Sequence, residues 1–185
     1  LPASAHGGVS CLYGLMGILA FAIDVQRSRR RFLARDRLGV KPLFYAPVSD
    51  GSLIFGSELK ALLANPLLRR EPELRAVDDY LAFGYVPDHI SLLKGVRKLP
   101  AGHYLLLEQG KPEPQPIQYW DMDFSQRNRA APAALEEELV ALMKDAVKSR
   151  MISDVPFGAF LSGGVDSSAV VALMSEQSRR PVNTG

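Results

Sequence analysis

Twelve residues near the C-terminal end carry the densest chemistry of the chain: Phe157-Gly-Ala-Phe-Leu-Ser-Gly-Gly-Val-Asp-Ser-Ser168. The stretch starts apolar, passes through Gly163 and Gly164, and ends in hydroxyls and one carboxylate. Ala169 to Met174 then continue as an apolar, helix-forming run. That is the grammar of a buried strand, a tight turn and a helix start. Such a turn aims free backbone N–H groups at one point, with the positive end of the helix dipole behind them, and so suits phosphate. The paired glycines let the backbone approach a ligand closely. Ser162, Ser167 and Ser168 add hydroxyl donors, and Asp166 is suited to cap the helix or to hold a divalent cation against phosphate oxygens. The alternative is an ordinary glycine-rich turn. Seven ordered residues between a strand and a helix favour nucleotide binding over it.

A P-loop of the Walker type is excluded, because no Gly-x-x-x-x-Gly-Lys-[Ser/Thr] string occurs. The Ser-Gly-Gly-Val-Asp-Ser-Ser string resembles instead the PP-loop of the ATP pyrophosphatases. Those enzymes cleave ATP between the α- and β-phosphates and transfer AMP to an acceptor.

The elements that must position this loop divide unevenly along 185 residues. The pattern predicts strands over 15–24, 32–36, 43–46 and 52–55, a hairpin turn at Asp50-Gly51, and short helices over 57–65 and 77–83. A strand over 103–108 follows. Between the second and third strands, Gly39 permits positive φ and Pro42 fixes φ. Gln26 to Arg31 holds four arginines and reads as a solvated hairpin turn rather than an anion patch. Lys111 to Pro116 is a proline-rich connector, and the polar run 125–131 continues it. An amphipathic helix comes next, with Leu135, Leu139, Leu142, Met143, Ala146 and Val147 on one face. Glu136 to Glu138 near its start and Lys144, Lys148 and Arg150 near its end suit the helix dipole.

Bulk properties narrow the function classes. A net charge of +2 argues against a dedicated nucleic-acid binder. The apolar runs are too short and interrupted for a membrane span, and residues 1–10 lack the form of a signal peptide. The single Cys11 excludes an internal disulfide and fits a reducing, cytoplasmic setting. His6, His89 and His103 have no metal-ligand spacing. The start at Leu1 suggests a fragment, a processed form or a truncated reading frame.

Four strings in order make a family resemblance specific. They are Ala34-Arg-Asp-Arg-Leu-Gly-Val-Lys-Pro-Leu-Phe-Tyr45, Phe55-Gly-Ser-Glu-Leu-Lys-Ala-Leu62, Arg97-Lys-Leu-Pro-Ala-Gly-His-Tyr104 and Ser153-Asp-Val-Pro through Ser168, with Tyr119-Trp-Asp121 between the last two. Together they resemble the glutamine-hydrolysing asparagine synthetases of the bacterial type. The resemblance implies an α+β region followed by an α/β one. The first would be the C-terminal half of an N-terminal-nucleophile glutaminase, an α-β-β-α sandwich. The second would be the start of a PP-loop ATP pyrophosphatase domain, similar to the adenine nucleotide α-hydrolases. The expected organisation is a disordered or foreign 1–14, a partial type 2 glutamine amidotransferase domain over 15–116, a linker over 117–132 and the start of a synthetase domain over 133–185.

The same resemblance implies the substrates glutamine, aspartate and ATP, with Mg²⁺ as cofactor, no nucleic acid and no membrane, and room for a homodimer of a full-length form. Phe160, Leu161, Ser162, Gly163, Gly164, Val165, Asp166, Ser167 and Ser168 would bind ATP and its pyrophosphate, Phe160 lying against adenine and Asp166 helping to hold Mg²⁺. The glutaminase cysteine is expected to be absent. Cys11-Leu-Tyr-Gly14 echoes the family's Cys-Gly-x-x-Gly start, but Cys11 lies too close to Arg35-Asp36 and has no free α-amine, so it reads as incidental. Glu58 and Lys60 match family positions and are assigned a structural role. Two alternatives stay open: a non-catalytic remnant or scaffold piece, and a related amidotransferase acting on another carboxylate.

Overall fold

In a computed structural model of the chain, the described residues are 8–25, 30–88, 90–108, 114–125, 127–178 and 180–185. They fall into two compact units, Leu1–Asp123 and Phe124–Gly185.

The first unit is built on two antiparallel sheets. One contains β1 (Ala20–Val25), β2 (Arg30–Arg35), β6 (His103–Glu108) and β7 (Ile117–Gln118) in the order β1-β2-β6-β7. The other contains β3 (Phe44–Pro47), β4 (Leu53–Gly56) and β5 (Arg97–Lys98) in the order β4-β3-β5. Among the described residues three α-helices accompany them, α1 (Cys11–Gly14), α2 (Leu59–Leu63) and α3 (Leu74–Phe83), with a 3-10 turn over Gly8–Ser10 before the first.

Strand alternation sorts the side chains into separate cores. In β2 and β6 the register pairs Phe32 with Leu106, Leu33 with Leu105 and Ala34 with Tyr104. Leu33 and Leu105 turn one way and join Leu43, Tyr45 and Leu99 in a central core shared by the two sheets. Phe32 and Ala34 turn the other way and pack with Leu12, Tyr104, Leu106 and Tyr119. On the far side of β3, Ala46 packs with Leu62 and Leu68 under α2.

The loop after β2 is sewn down by two adjacent buried residues. Asp36 accepts backbone N–H bonds from Leu19 at 3.3 Å and from Val40 and Lys41 at 2.9 Å each. Arg35 donates to the carbonyls of Lys41 at 2.9 Å, Leu99 at 2.7 Å and Gly39 at 2.5 Å, and pairs with the Asp88 carboxylate at 3.3 Å. Gly39 has φ +65°, and a Cβ there would come within 2.9 Å of the guanidinium, so the turn needs glycine twice over.

Several expectations shift. The first strand begins at Ala20, because Leu19 is already occupied in exchanging hydrogen bonds with Asp36. Residues 11–14, expected to lie outside the fold, form α1, and Leu12 is fully buried against Phe32 and Ala34. Residues 1–7 lie outside the described residues, as do 26–29 of the arginine run and 111–113 of the connector. Arg30 and Arg31, the last two residues of that run, open β2 and not a turn, and pair with Glu108 at 2.7 Å and Asp24 at 3.3 Å. Residues 117–119 are not free linker: β7 pairs with His103 and Tyr104, and the Tyr119 hydroxyl donates to the Arg35 carbonyl at 2.8 Å.

The second unit has two helices, α4 (Pro132–Arg150) and α5 (Val165–Gln177), and a pair of two-residue parallel strands, β8 (Gly158–Ala159) and β9 (Asn183–Thr184). The chain thus runs β8–α5–β9, a parallel crossover with the serine-glycine turn at its first corner.

Candidate functional site

The turn lies between β8 and α5. Leu161 leaves the strand with its N–H donating to the Gly185 carbonyl at 3.0 Å, while the Gly185 N–H donates to Ala159 at 3.3 Å. Gly163 takes φ +80°, the left-handed region that favours glycine. Gly164 has φ −77° and ψ 163°, ordinary extended backbone, and is the N-cap of α5. Only the first glycine of the pair is therefore demanded by its own dihedral angles.

The hydroxyls close the turn on itself. Ser162 Oγ and Ser167 Oγ lie 3.1 Å apart, and Ser167 Oγ also donates to the Gly164 carbonyl at 3.2 Å. The first intrahelical bond runs from Ser168 N to Gly164 O at 3.1 Å. The N–H groups of Val165, Asp166 and Ser167 therefore have no acceptor within the helix. The helix starts at Val165, which places Asp166 in the first turn and not at the cap. There its exposed carboxylate faces the positive end of the helix dipole. Ser162, Gly163, Gly164, Val165, Asp166, Ser167 and Ser168 are thus gathered on one corner able to bind an anion. Phe160 and Leu161 stand at the strand end, and Phe160 is 89% exposed. A concave space of about 310 Å³ lies beside it, lined by Gly158, Ala159, Phe160, Asn183, Thr184 and Gly185.

Among the described residues, the others singled out form no second site. Glu58 and Lys60 pair with each other at 2.6 Å on the surface, which holds the carboxyl below its usual range and raises the ammonium. The Cys11 thiol is half-buried at the start of α1, and its own nitrogen is in peptide linkage to Ser10. His103 sets Nδ1 against the Ala101 carbonyl at 2.7 Å, while His6 and His89 lie outside the described residues. No group of three or more His, Cys, Asp or Glu side chains able to hold a metal occurs among the described residues. None of the described helices is long and apolar enough to cross a membrane. Burial pushes the Tyr119 phenol up, helped by the nearby Asp36 carboxylate.

Two features had no sequence signal strong enough to find them. The turn pattern after β2 announces a bend, but not that Arg35 would be buried beneath it. Gln177 looks like any polar residue ending a helix, yet its amide donates to the Lys144 carbonyl of α4 at 3.1 Å.

Comparison with known proteins agrees with this division. Residues 1–120 match the family described as glutamine amidotransferase domain, and residues 138–184 match asparagine synthase. A provisionally named asparagine synthetase (glutamine-hydrolysing) 2 of Methanocaldococcus jannaschii is 41% identical over 172 residues, covering 91% of this chain and 33% of that protein. Asparagine synthetase (glutamine-hydrolysing) 3 of Bacillus subtilis is 33% identical over 181 residues, covering 94% of this chain and 28% of its own. Amidase chyE of Penicillium rubens is 33% identical over 186 residues, covering 97% of this chain and 26% of its own. The chain spans a third or less of these relatives' length. It belongs to the glutamine amidotransferase domain family, with the opening of an asparagine synthase domain joined behind it.

Proposed function

We propose that these residues are part of a glutamine-hydrolysing asparagine synthetase, a ligase that makes asparagine from aspartate, ATP and glutamine-derived ammonia. The observation that carries the reading is the order of the two family matches, with the serine-glycine turn inside the second. On this reading the first unit is the later half of an N-terminal-nucleophile glutaminase, and the second opens a PP-loop ATP pyrophosphatase fold. The catalytic cysteine is not among the residues of this chain.

In the reaction, an oxygen of the aspartate side-chain carboxylate attacks the α-phosphorus of ATP. The bond from that phosphorus to the α–β bridging oxygen breaks, and its electron pair leaves with pyrophosphate. Ammonia then attacks the acyl carbon of the aspartyl adenylate, AMP departs with the carbon–oxygen pair, and asparagine remains after loss of a proton. The N–H groups of Val165, Asp166 and Ser167, with the hydroxyl of Ser168 and those of Ser162 and Ser167 once turned from their bonds within the turn, would hold the β- and γ-phosphates as charge accumulates on them. Phe160 and Leu161 would border the nucleoside, Phe160 presenting its exposed ring to adenine. Asp166 offers one exposed carboxylate, which fits the habit of Mg²⁺ of taking one or two carboxylates and completing its shell with phosphate oxygens and water. When bound, Mg²⁺ would neutralise part of the phosphate charge. A reducing cytoplasm suits the lone Cys11.

The test is product analysis with the full-length protein, aspartate, glutamine and ATP labelled at the α-phosphate. AMP and pyrophosphate in step with asparagine are expected; ADP and phosphate would sink the reading. The similarity to Amidase chyE favours one second reading, an amidotransferase acting on another carboxylic acid. AMP release with other acids but not with aspartate would select it. A protein that turns over neither ATP nor glutamine would be the non-catalytic remnant.

A further inference from the structure

The serine-glycine turn is closed locally by its hydroxyls, while the helix behind it is tied to α4 near its far end. At the turn, Gly164 caps α5 without a side chain, and Ser162 Oγ reaches the Gly164 N–H only at 3.5 Å. The one buried residue of α5 is Met174, in its last turn. Three polar links then cluster beside it. Gln177 Nε2 donates to the Lys144 carbonyl at 3.1 Å and to the Leu173 carbonyl at 3.2 Å. Lys144 Nζ pairs with Glu176 at 2.8 Å. Ser178 Oγ closes a turn with Arg180, donating to its carbonyl at 2.7 Å and accepting its N–H at 3.1 Å, and this turn leads towards β9.

The Lys144 carbonyl lies inside α4, where it serves the N–H four residues on; its second lone pair is what Gln177 takes. That bond is directional and ties α5 to one point of α4, a constraint that non-directional apolar packing does not supply. The 13 residues of α5 make a rod about 18 Å long. A tilt of a few degrees at its C-terminal end therefore moves the N–H groups at Val165 to Ser167 by roughly 1 Å, enough to misplace a bound phosphate.

We propose that Gln177 is a positioning residue for ATP, acting through α5 on the phosphate-binding turn. The proposal rests on the nucleotide reading of that turn. It predicts a defect in ATP binding and not merely in the amount of active enzyme.

The experiment uses full-length protein and steady-state kinetics, with glutamine hydrolysis measured separately. Gln177→Met keeps length and loses the donor. It should raise KM for ATP roughly tenfold with glutamine hydrolysis unchanged. A lowered kcat at an unchanged KM for ATP would mean simple loss of folded enzyme and would overturn the proposal. Should Gln177→Met give no soluble protein, Glu176→Gln reads the same junction by breaking its exposed ion pair. A rise of about threefold in KM for ATP supports the proposal, and an unchanged KM overturns it. Asp166→Ala run in parallel separates the two layers. If Asp166→Ala uses ATP like the wild type, the nucleotide reading itself fails. If Asp166→Ala is crippled and Gln177→Met is silent, only the positioning role fails.

Discussion

The two units are built by different means. In Leu1–Asp123 three apolar clusters flank the strands, and in the central one Leu33, Tyr45, Leu99 and Leu105 are each no more than 1% exposed. In Phe124–Gly185 the described residues include a single buried apolar side chain, Met174. There Leu139, Leu142, Phe157, Phe160 and Val165 are exposed, and a side-chain hydrogen bond from Gln177 to the Lys144 carbonyl joins the two helices. The contrast separates two ways to fix geometry. A strand-paired core locks residues wherever they face it. A pair of helices with one buried side chain between them depends more on the points where polar groups meet.

The largest effect expected from this contrast is at Arg35. Arg35→Ala leaves the buried carbonyl of Leu99, and those of Gly39 and Lys41, without their donor, and should cost about 3–5 kcal/mol. Urea unfolding followed by fluorescence of Trp120, the single tryptophan, reads the first unit alone. A midpoint close to that of the wild type would break the account of the loop after β2. Next in size is a matched pair of leucine truncations. Leu105→Ala should cost roughly 2–5 kcal/mol by the same probe. Leu139→Ala, at an exposed position, should stay within about 0.5 kcal/mol when helix content is followed by circular dichroism. Equal costs would erase the distinction between the units.

A smaller effect is expected at Tyr119. Tyr119→Phe removes one partly buried hydrogen bond and should cost about 0.5–1.5 kcal/mol at neutral pH. The phenol is raised above its ordinary value of 10.0. The folded state therefore keeps its proton where the unfolded chain has lost it. Stability linked to this group is full below pH 10 and falls as the pH climbs through the raised value. The Phe variant should show a shallower alkaline decline; an identical slope would contradict the buried placement. The smallest effect belongs to the surface pair Glu58–Lys60, where Glu58→Gln should leave the unfolding midpoint where it was.

Much of the fold was legible because its signals are local. The strand over 103–108 is a short apolar run ended by Gln109-Gly110, and the structure has it at the same residues. The stripe over 135–147 placed α4, and the string from Ser162 to Ser168 placed the turn before α5. What was not legible depended on partners distant in sequence. The short α1 is held by Leu12 meeting Phe32 and Ala34. β7 exists because His103 and Tyr104 lie beside it. Arg35 is buried because Lys41 and Leu99 offer carbonyls to it, and nothing in a charged residue's neighbours in sequence announces that. The stripe on α4 also promised more packing than the described residues give it, since Leu139 and Leu142 stay exposed. At the site, residue types and order were readable, whereas the division of labour between Gly163 and Gly164 required the dihedral angles.

The most direct test of the central claim is Asp166→Ala in the full-length protein, measuring pyrophosphate release and glutamine hydrolysis side by side. If the turn before α5 holds the phosphates of ATP, aspartate-dependent pyrophosphate release should fall by at least about 100-fold while glutamine hydrolysis persists. Pyrophosphate release at the wild-type rate would contradict it.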